Sequence, residues 1–362
     1  MECRFCNSKV DLYLDMSYIP ISVTSDGQVI DTGIVLYKCS ECGLIQKDAT
    51  VQSQNEYFQS SYSQSLLNGK EQMKFVDGVA FPKSELIISG VKESINNPKS
   101  MLDIGTGSGA FLSAFKKVFP LCEIYGQDIQ ENFIENILKY IPKENFYCKD
   151  IGEINQKFNL ISMVGVLSHI PLLLKFLDDL YKISNEDGQI LIHTNDFPNN
   201  FFDVVIIDCI THISKPIMYK MLSKYYKNIS FFNTIYKEVT VGINLVKNQN
   251  HINFEDEEIF LNKQKEIFKN FIDFIYNSKN SYSVLGSSPS SIYIGAILKE
   301  RLIDFVDEDI DRVGRVHLNR EIKSFQNTSE DNIIILPFLQ KNIIESIKSK
   351  HPNIVFLTYL DI

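Results

Sequence analysis

The stretch Met101-Leu-Asp103-Ile-Gly105-Thr-Gly107-Ser-Gly109 does most to restrict how this chain can fold. A short apolar run enters three alternating glycines, and a helical pattern with Phe111, Leu112 and Phe115 leaves them. The glycines let the backbone turn tightly and approach a ligand closely. Strand, turn and helix in that order belong to a parallel sheet with crossover helices, and the following residues repeat the alternation. Strands are expected over 123–126, ending in Asp128, and over 145–148, ending in Asp150. Another is expected over 160–166, ending in Leu167-Ser-His169-Ile170, then a helix from Pro171 to about Ile183 and a strand over 189–193. Asp128 lies about 20 residues past the glycines, where a carboxylate can accept bonds from a ribose diol. A dinucleotide site prefers G-x-G-x-x-G. Counted from Gly105 and Gly107, its third glycine position holds Ala110, which is tolerated, so NAD stays open on the glycines alone.

Four of the seven cysteines form two C-x2-C pairs, Cys3 with Cys6 and Cys39 with Cys42. Each pair aims two thiolates at one spot, and together they supply the tetrahedral sulfur set that Zn²⁺ prefers. Two disulfides fit poorly with a cytosolic chain. A redox dithiol would occur once, beside a βαβ unit. Four protein ligands leave no open position, so such a metal holds a fold and does no chemistry. Cys122 and Cys148 are expected to be buried, inert thiols.

The 362 residues allow two or three domains, and 44 % hydrophobic with 22 % charged residues is ordinary for a globular protein. The net charge of −9 argues against a non-specific nucleic-acid binder. No apolar run is long enough for a membrane span, and Met1-Glu2-Cys3-Arg4 has no leader pattern, so a cytoplasmic location is expected. After 193 the chain is expected to form antiparallel hairpin strands within 236–246 and an amphipathic helix over about 255–277. That helix carries Ile259, Phe260, Ile267, Phe268, Phe271, Ile272 and Ile275 as a packing stripe. Strands at 282–285, 303–306, 333–336 and 354–357, with a helix over 292–299, make a second small Rossmann-like unit.

The glycine segment and the strand endings resemble the class I S-adenosylmethionine-dependent methyltransferases, whose first motif reads D-x-G-x-G-x-G. That resemblance implies that Asp103, Gly105, Thr106, Gly107 and Gly109 line the cofactor. It further implies that Asp128 with Ile129 meets the ribose, that Asp150 with Ile151 meets the adenine, and that Val164 lies beside them. The order of blocks is similar to the sugar C-methyltransferase family, over nearly the whole chain. Cys39-Ser-Glu-Cys42-Gly-Leu-Ile-Gln46 looks like its second knuckle and Tyr57 to Ser63 like its Y-x-x-S-S-x-S linker. Leu167-Ser-His169-Ile170 looks like its L-E-H-I, Gly242-Ile-Asn244-Leu245 like a G-G-S-L strand, and Asp307 to Gly314 like a D-x-x-x-x-K-x-G turn with Arg312 for lysine. The implied fold is α/β: a zinc-binding module and linker (1–70), a methyltransferase domain (71–253), a connecting helix (254–280) and a C-terminal Rossmann-like domain (281–362). Where the family often reads Y-x-E-H, this chain has Cys209-Ile-Thr211-His212, so only the histidine matches.

The resemblance implies methylation of a carbon next to a ketone on a nucleotide-linked deoxysugar. Such a transfer needs a base to form an enolate and a donor to hold its oxygen. His212 is the first candidate base, and His169, at a strand end, is placed to orient substrate or stabilise the enolate. Tyr57 and Tyr62 are candidate hydroxyl donors from the linker, and His193 is a weaker site candidate. Lys70, Lys74, Lys83 and Lys215 are candidates to meet a phosphate. Methylation of O or N on a capsule, lipopolysaccharide or secondary-metabolite precursor is an alternative, and so is a non-catalytic scaffold that keeps the fold.

Overall fold

The computed structural model describes residues 1–62, 71–76, 79–235, 238–245, 257–309, 311–329 and 332–362. Ser63, Lys70, Tyr236 and His251 lie outside them. The chain divides into two compact units, one of residues 1–11, 38–196 and 213–253, the other of 12–37, 197–212 and 254–362.

The first unit opens with the cysteine segments, followed by α1 (Val51–Glu56) and a π-helical turn, Tyr57–Ser61. A hairpin, β1 (Met73–Val76) with β2 (Val79–Pro82), leads to α2 (Lys83–Val91). The alternating unit follows as β3 (Ser100–Ile104), α3 (Ala110–Val118), β4 (Glu123–Asp128), β5 (Phe146–Cys148) and β6 (Phe158–Val164). Then come α4 (Leu173–Ile183), β7 (Ser184–Asn195), α5 (Lys215–Leu222), β8 (Ile229–Ile235) and β9 (Glu238–Ile243).

The seven strands lie in the order β5-β4-β3-β6-β7-β9-β8. The first five run parallel, while β9 runs against both neighbours. Because helices cover a parallel sheet, its central strands are mainly apolar: Met101, Leu102, Leu160, Ile161, Leu191 and Ile192 are all fully buried. On α3, Phe111, Leu112, Ala114 and Phe115 recur at helical spacing and pack with Ile87, Ile88 and Val91 of α2. Burying a side chain such as Phe115 contributes roughly 1.5–3 kcal/mol. Leu112→Ala in this close-packed layer is expected to cost about 2–5 kcal/mol.

In the second unit, α6 (Glu257–Asn277) precedes β10 (Tyr282–Leu285), α7 (Pro289–Leu298), β11 (Leu302–Val306), β12 (Arg320–Lys323), β13 (Ile333–Ile335), α8 (Lys341–Lys350) and β14 (Val355–Leu357). Its parallel strands lie in the order β12-β11-β10-β13-β14, with Val316–His317 antiparallel at the β12 edge. A strand pair, Ser22–Val23 with Val29–Ile30, and a 3-10 turn, Phe201–Val205, belong to this unit and pack on α7.

Three expectations need correction. The hairpin is β8 with β9, so its first strand precedes the expected 236–246; the run Ile229–Ile235 makes the pairing with Glu238–Ile243. On α6 the buried face is Leu261, Gln264, Phe268, Phe271, Ile272 and Ile275, and the helix turns Ile259 (72 % exposed) and Phe260 away from it. Cys148 is exposed, because short β5 is the edge strand of its sheet, and Cys122, in the turn before β4, is half-buried.

Candidate functional site

The turn after β3 is built by its glycines. Gly105 has φ +66°, and a Cβ there would stand 2.4 Å from Cγ2 of Val166. Any other residue would be strained and would displace the turn after β6. The peptide N–H of Gly107 donates to Asp128 Oδ2 (2.9 Å), at the end of β4. The other oxygen, Oδ1, accepts from the N–H of Ile129 (2.8 Å) and of Gln130 (3.3 Å). Burial raises the Asp128 pKa, and these three amides oppose the rise.

Gln127 ties the same turn down. Its Oε1 accepts from the N–H of Gly105 (3.3 Å), its carbonyl from Thr106 N–H (3.0 Å), and its Nε2 donates to Lys149 O (2.6 Å). Sequence reasoning missed Gln127; its place one residue before Asp128 was the available signal. Asp103 is fully enclosed. Burial pushes its pKa up to about 7, against hydrogen bonds from the Ser162 hydroxyl (2.6 Å) and the Thr106 hydroxyl (3.0 Å). Gly109, at φ +80°, precedes α3, whose N-terminus has no side-chain cap.

The remaining predicted cofactor residues gather at the carboxyl ends of β4, β5 and β6. Ile129 is 37 % exposed, Ile151 is buried, and Val164 ends β6. Asp150 is exposed, accepts from Gly152 N–H (2.8 Å) and has Lys175 Nζ at 3.4 Å. An exposed pair of this kind contributes little. Ligands of open α/β sheets collect at these strand ends. A glycine turn, amides at a helix start and a buried carboxylate one strand away suit a nucleoside with an extended tail. The donor set therefore fits S-adenosylmethionine.

His169 sits in the 3-10 turn Leu167–His169 after β6. The Phe58 ring meets its imidazole edge to face, with centroids 5.1 Å apart. Tyr57 lies 4.9 Å from Phe58, and Tyr62 lies 5.3 Å from Phe58 and 5.9 Å from Tyr57. The linker aromatics and His169 thus form one cluster. Phe58, its hub, had no signal beyond its position between two tyrosines. His212 belongs to the second unit, buried, with its ring 4.8 Å from Phe197.

His193 is an interior residue. Its Nδ1 bonds Thr240 Oγ1 (2.9 Å) and its Nε2 bonds Glu238 Oε2 (3.1 Å). Burial lowers its pKa to about 4, against the pull of Glu238. Burial raises the Glu238 pKa, but Lys83, His193 and Lys74 outweigh it and hold the carboxyl well below its ordinary range. Lys83 and Lys74 stand 2.9 and 3.2 Å from the same carboxylate oxygen, and Lys215 stands 3.2 Å from Asp196. Each of these three phosphate candidates is thus held by a carboxylate.

Cys3, Cys6, Cys39 and Cys42 place their sulfurs within 4.8 Å of one another, with 3.5 Å from Cys3 to Cys42 and 3.4 Å from Cys6 to Cys39. Zn–S bonds of about 2.3 Å in a tetrahedron put sulfurs roughly 3.8 Å apart, inside that span. The residue after each pair turns left-handed, Asn7 at φ 60° and Gly43 at φ 83°. Their amides return to the carbonyls of Cys3 (3.0 Å) and Cys39 (3.1 Å), closing two equivalent knuckles. The four thiols fit a structural metal.

Residues 84–235 match the family model described as Methyltransferase domain. The chain is 30 % identical over 119 residues to the ribosomal protein L11 methyltransferase of Fusobacterium nucleatum, covering 30 % of this chain and 37 % of that protein. It is 27 % identical over 122 residues to the enzyme of that name from Lactobacillus gasseri, covering 32 % and 37 %. The match therefore spans well under half the length of these curated relatives. Among solved structures, human N-acetylserotonin methyltransferase in complex with S-adenosylmethionine is 15 % identical over 45 % of this chain and 52 % of that one, with TM-score 0.39. Mitomycin 7-O-methyltransferase is 13 % identical over 44 % and 52 %, with TM-score 0.38. Likenesses at that level carry no argument about substrate. With the family match lying over the glycine turn and its strand-end carboxylates, the chain carries a class I S-adenosylmethionine-dependent methyltransferase domain.

Proposed function

We propose that the chain transfers the methyl of S-adenosylmethionine to a carbon next to a ketone on a nucleotide-linked deoxysugar. The observation that carries this reading is the cluster of Tyr57, Phe58, Tyr62 and His169 at the carboxyl end of β6, beside the glycine turn. Asp128 and the glycine turn bind the ribose and methionine part, and Asp150 with Ile151 flanks the adenine. The bound cofactor supplies an electrophilic methyl on a sulfonium. His169, at the strand end, takes the proton next to the ketone. Tyr57 or Tyr62 donates a hydrogen bond to the enolate oxygen. The aromatic rings exclude water and hold the acceptor for an in-line approach. Zinc, held by the four cysteines, plays a structural part only. The three-block organisation of zinc module, methyltransferase domain and C-terminal domain belongs to this proposal.

The test uses labelled S-adenosylmethionine and a panel of keto-sugar nucleotides, with the position of the new methyl read by NMR. Label on carbon next to the ketone supports the reading, and no labelled sugar overturns it. Methylation of O or N is the second reading. It is favoured by Cys209 and Thr211 at the family's tyrosine and glutamate positions, since an O or N acceptor needs less help from a base. Label on oxygen or nitrogen selects it.

A further inference from the structure

Arg4 lies between two of the metal-type cysteines, yet its side chain points away from the thiols. Its guanidinium donates to three backbone carbonyls: Nη1 to Pro171 O (2.9 Å), and Nη2 to Lys47 O (3.2 Å) and Ala49 O (2.5 Å). Its backbone is held as well. The Arg4 N–H donates to Gln46 Oε1 (2.9 Å), the Arg4 carbonyl accepts from Leu174 N–H (3.3 Å), and Gln46 Nε2 donates to Glu2 O (3.0 Å).

These partners belong to two separate stretches of the first unit. Lys47 and Ala49 lead into Thr50, which caps α1 through Ser53 N–H (3.0 Å). That helix runs directly into Tyr57–Ser61. Pro171 lies two residues beyond His169, and Leu174 lies in the first turn of α4. The two stretches meet again at the contact of Phe58 with His169. One planar cation therefore joins the near ends of both arms, and the ring contact joins their far ends. A guanidinium is suited to this, because its fixed fork can satisfy several carbonyls at once while a lysine ammonium is a point donor. The flanking cysteines fix the backbone from which Arg4 projects.

We propose that Arg4 is a positioning residue that transmits the order of the four-cysteine knuckle to the aromatic strap and to His169. The inference rests on the proposed function only in giving His169 and the strap tyrosines a part in methyl transfer. It explains why a closed metal site, with no chemistry of its own, stands next to a methyltransferase sheet.

The test compares full-length parent, Arg4→Lys and Arg4→Gln by hydrogen–deuterium exchange. Zinc content, affinity for S-adenosylhomocysteine and the imidazole NMR signals of His169 and His193 are measured on the same samples. Arg4→Lys is expected to keep its zinc and bind S-adenosylhomocysteine within about twofold of the parent. Exchange over residues 50–62 and 167–174 is expected to rise about tenfold or more, as local opening does when its ties are cut. Exchange in α3 and β7 stays at the parent rate. The His169 signal moves as the Phe58 ring loosens, while His193 keeps its position. Zinc removal by a chelator from the parent is expected to give the same regional pattern. Parent-like exchange in both segments overturns the proposal, as does acceleration spread evenly into α3 and β7, or loss of zinc from Arg4→Lys. Protected segments after zinc removal overturn the link to the knuckle. Arg4→Gln is expected to exceed Arg4→Lys, and Arg4→Lys decides where Arg4→Gln does not fold. Failure of the parent to bind S-adenosylhomocysteine strikes the proposed function and leaves the exchange result to judge Arg4.

Discussion

Asp128 and Asp103 are two carboxylates in neighbouring strands with different work. Asp128 spends its oxygens on amides of the glycine turn and of the residues after β4. Asp128→Ala removes both the anchor of Gly107 and the partner proposed for the ribose. Its affinity for S-adenosylhomocysteine by calorimetry is expected to fall at least tenfold, a loss of about 1.4 kcal/mol or more. Unchanged affinity would remove Asp128 from the cofactor site. Asp103 is instead an interior group whose pKa burial lifts to about 7. The folded state then binds a proton that the unfolded state releases above its ordinary pKa of about 4, so this contribution to stability falls as pH rises from about 4 to 7. Asp103→Asn keeps an acceptor for Ser162, and Thr106 Oγ1 retains the Asp103 carbonyl (3.0 Å). The variant is expected to exceed the parent by roughly 1–3 kcal/mol at pH 7.5 and to lose that margin toward pH 4. Urea unfolding at both pH values measures it, and a margin independent of pH would refute the assignment.

At the scale of elements, β7, β9, the β1–β2 hairpin and the start of α2 are joined by His193, Glu238, Lys74 and Lys83. His193 is neutral when folded, with its pKa near 4. The unfolded chain takes up that proton first, so this contribution is full above about pH 6.5 and declines as the pH falls toward 4. It opposes the Asp103 slope, so Asp103→Asn should also make acid unfolding steeper than in the parent. Glu238→Gln leaves both lysines facing a neutral amide. As their side chains are about a fifth exposed, a cost of roughly 1–3 kcal/mol is expected from the urea midpoint. A double variant with Lys83→Met should recover part of it, and no recovery would mean that the charges do not interact. None of this clamp was legible in the sequence. Strand periodicity marks β7, and Gly242-Ile-Asn244-Leu245 resembles a strand motif, but the pairing of Asn195 with Glu238 is a long-range register that local pattern does not carry. The glycine turn was legible because φ values of +51° to +80° at Gly107, Gly105 and Gly109 demand that residue type. The thiol cluster was legible because ligand spacing is local within each knuckle.

For the whole molecule, sequence order and spatial grouping part company. The second Rossmann-like sheet was readable from its strands at 282–285, 303–306, 333–336 and 354–357, yet the compact unit around it also takes in residues 12–37 and 197–212. Residues 12–37 carry short strands and residues 197–212 mostly 3-10 turns, and local pattern does not say where either packs. Their contribution is physical. Helix α7 is buried on nearly every side: Ile292, Tyr293, Ile294, Ile297 and Leu298 are all within 1 % of full burial. A helix apolar all round needs cover on more than its sheet face. Ser22–Val23, Val29–Ile30 and the turn Phe201–Val205 supply part of that cover, and the rings of Phe201 and Phe202 pack against Phe268, tilted at 5.5 Å and edge to face at 5.2 Å. Asp208 reaches back to the N–H of Ser25 at 2.7 Å, and Val23 bridges Ile206, so the two outlying segments also hold each other. A fragment of residues 254–362 has every strand of the sheet but bares these aromatic and aliphatic faces. Its amide NMR spectrum is expected to be poorly dispersed, with noncooperative melting and dye binding typical of exposed apolar surface. The intact chain should melt cooperatively in the same buffer. A well-dispersed spectrum with a sharp transition from the fragment would show that the C-terminal sheet folds without residues 12–37 and 197–212.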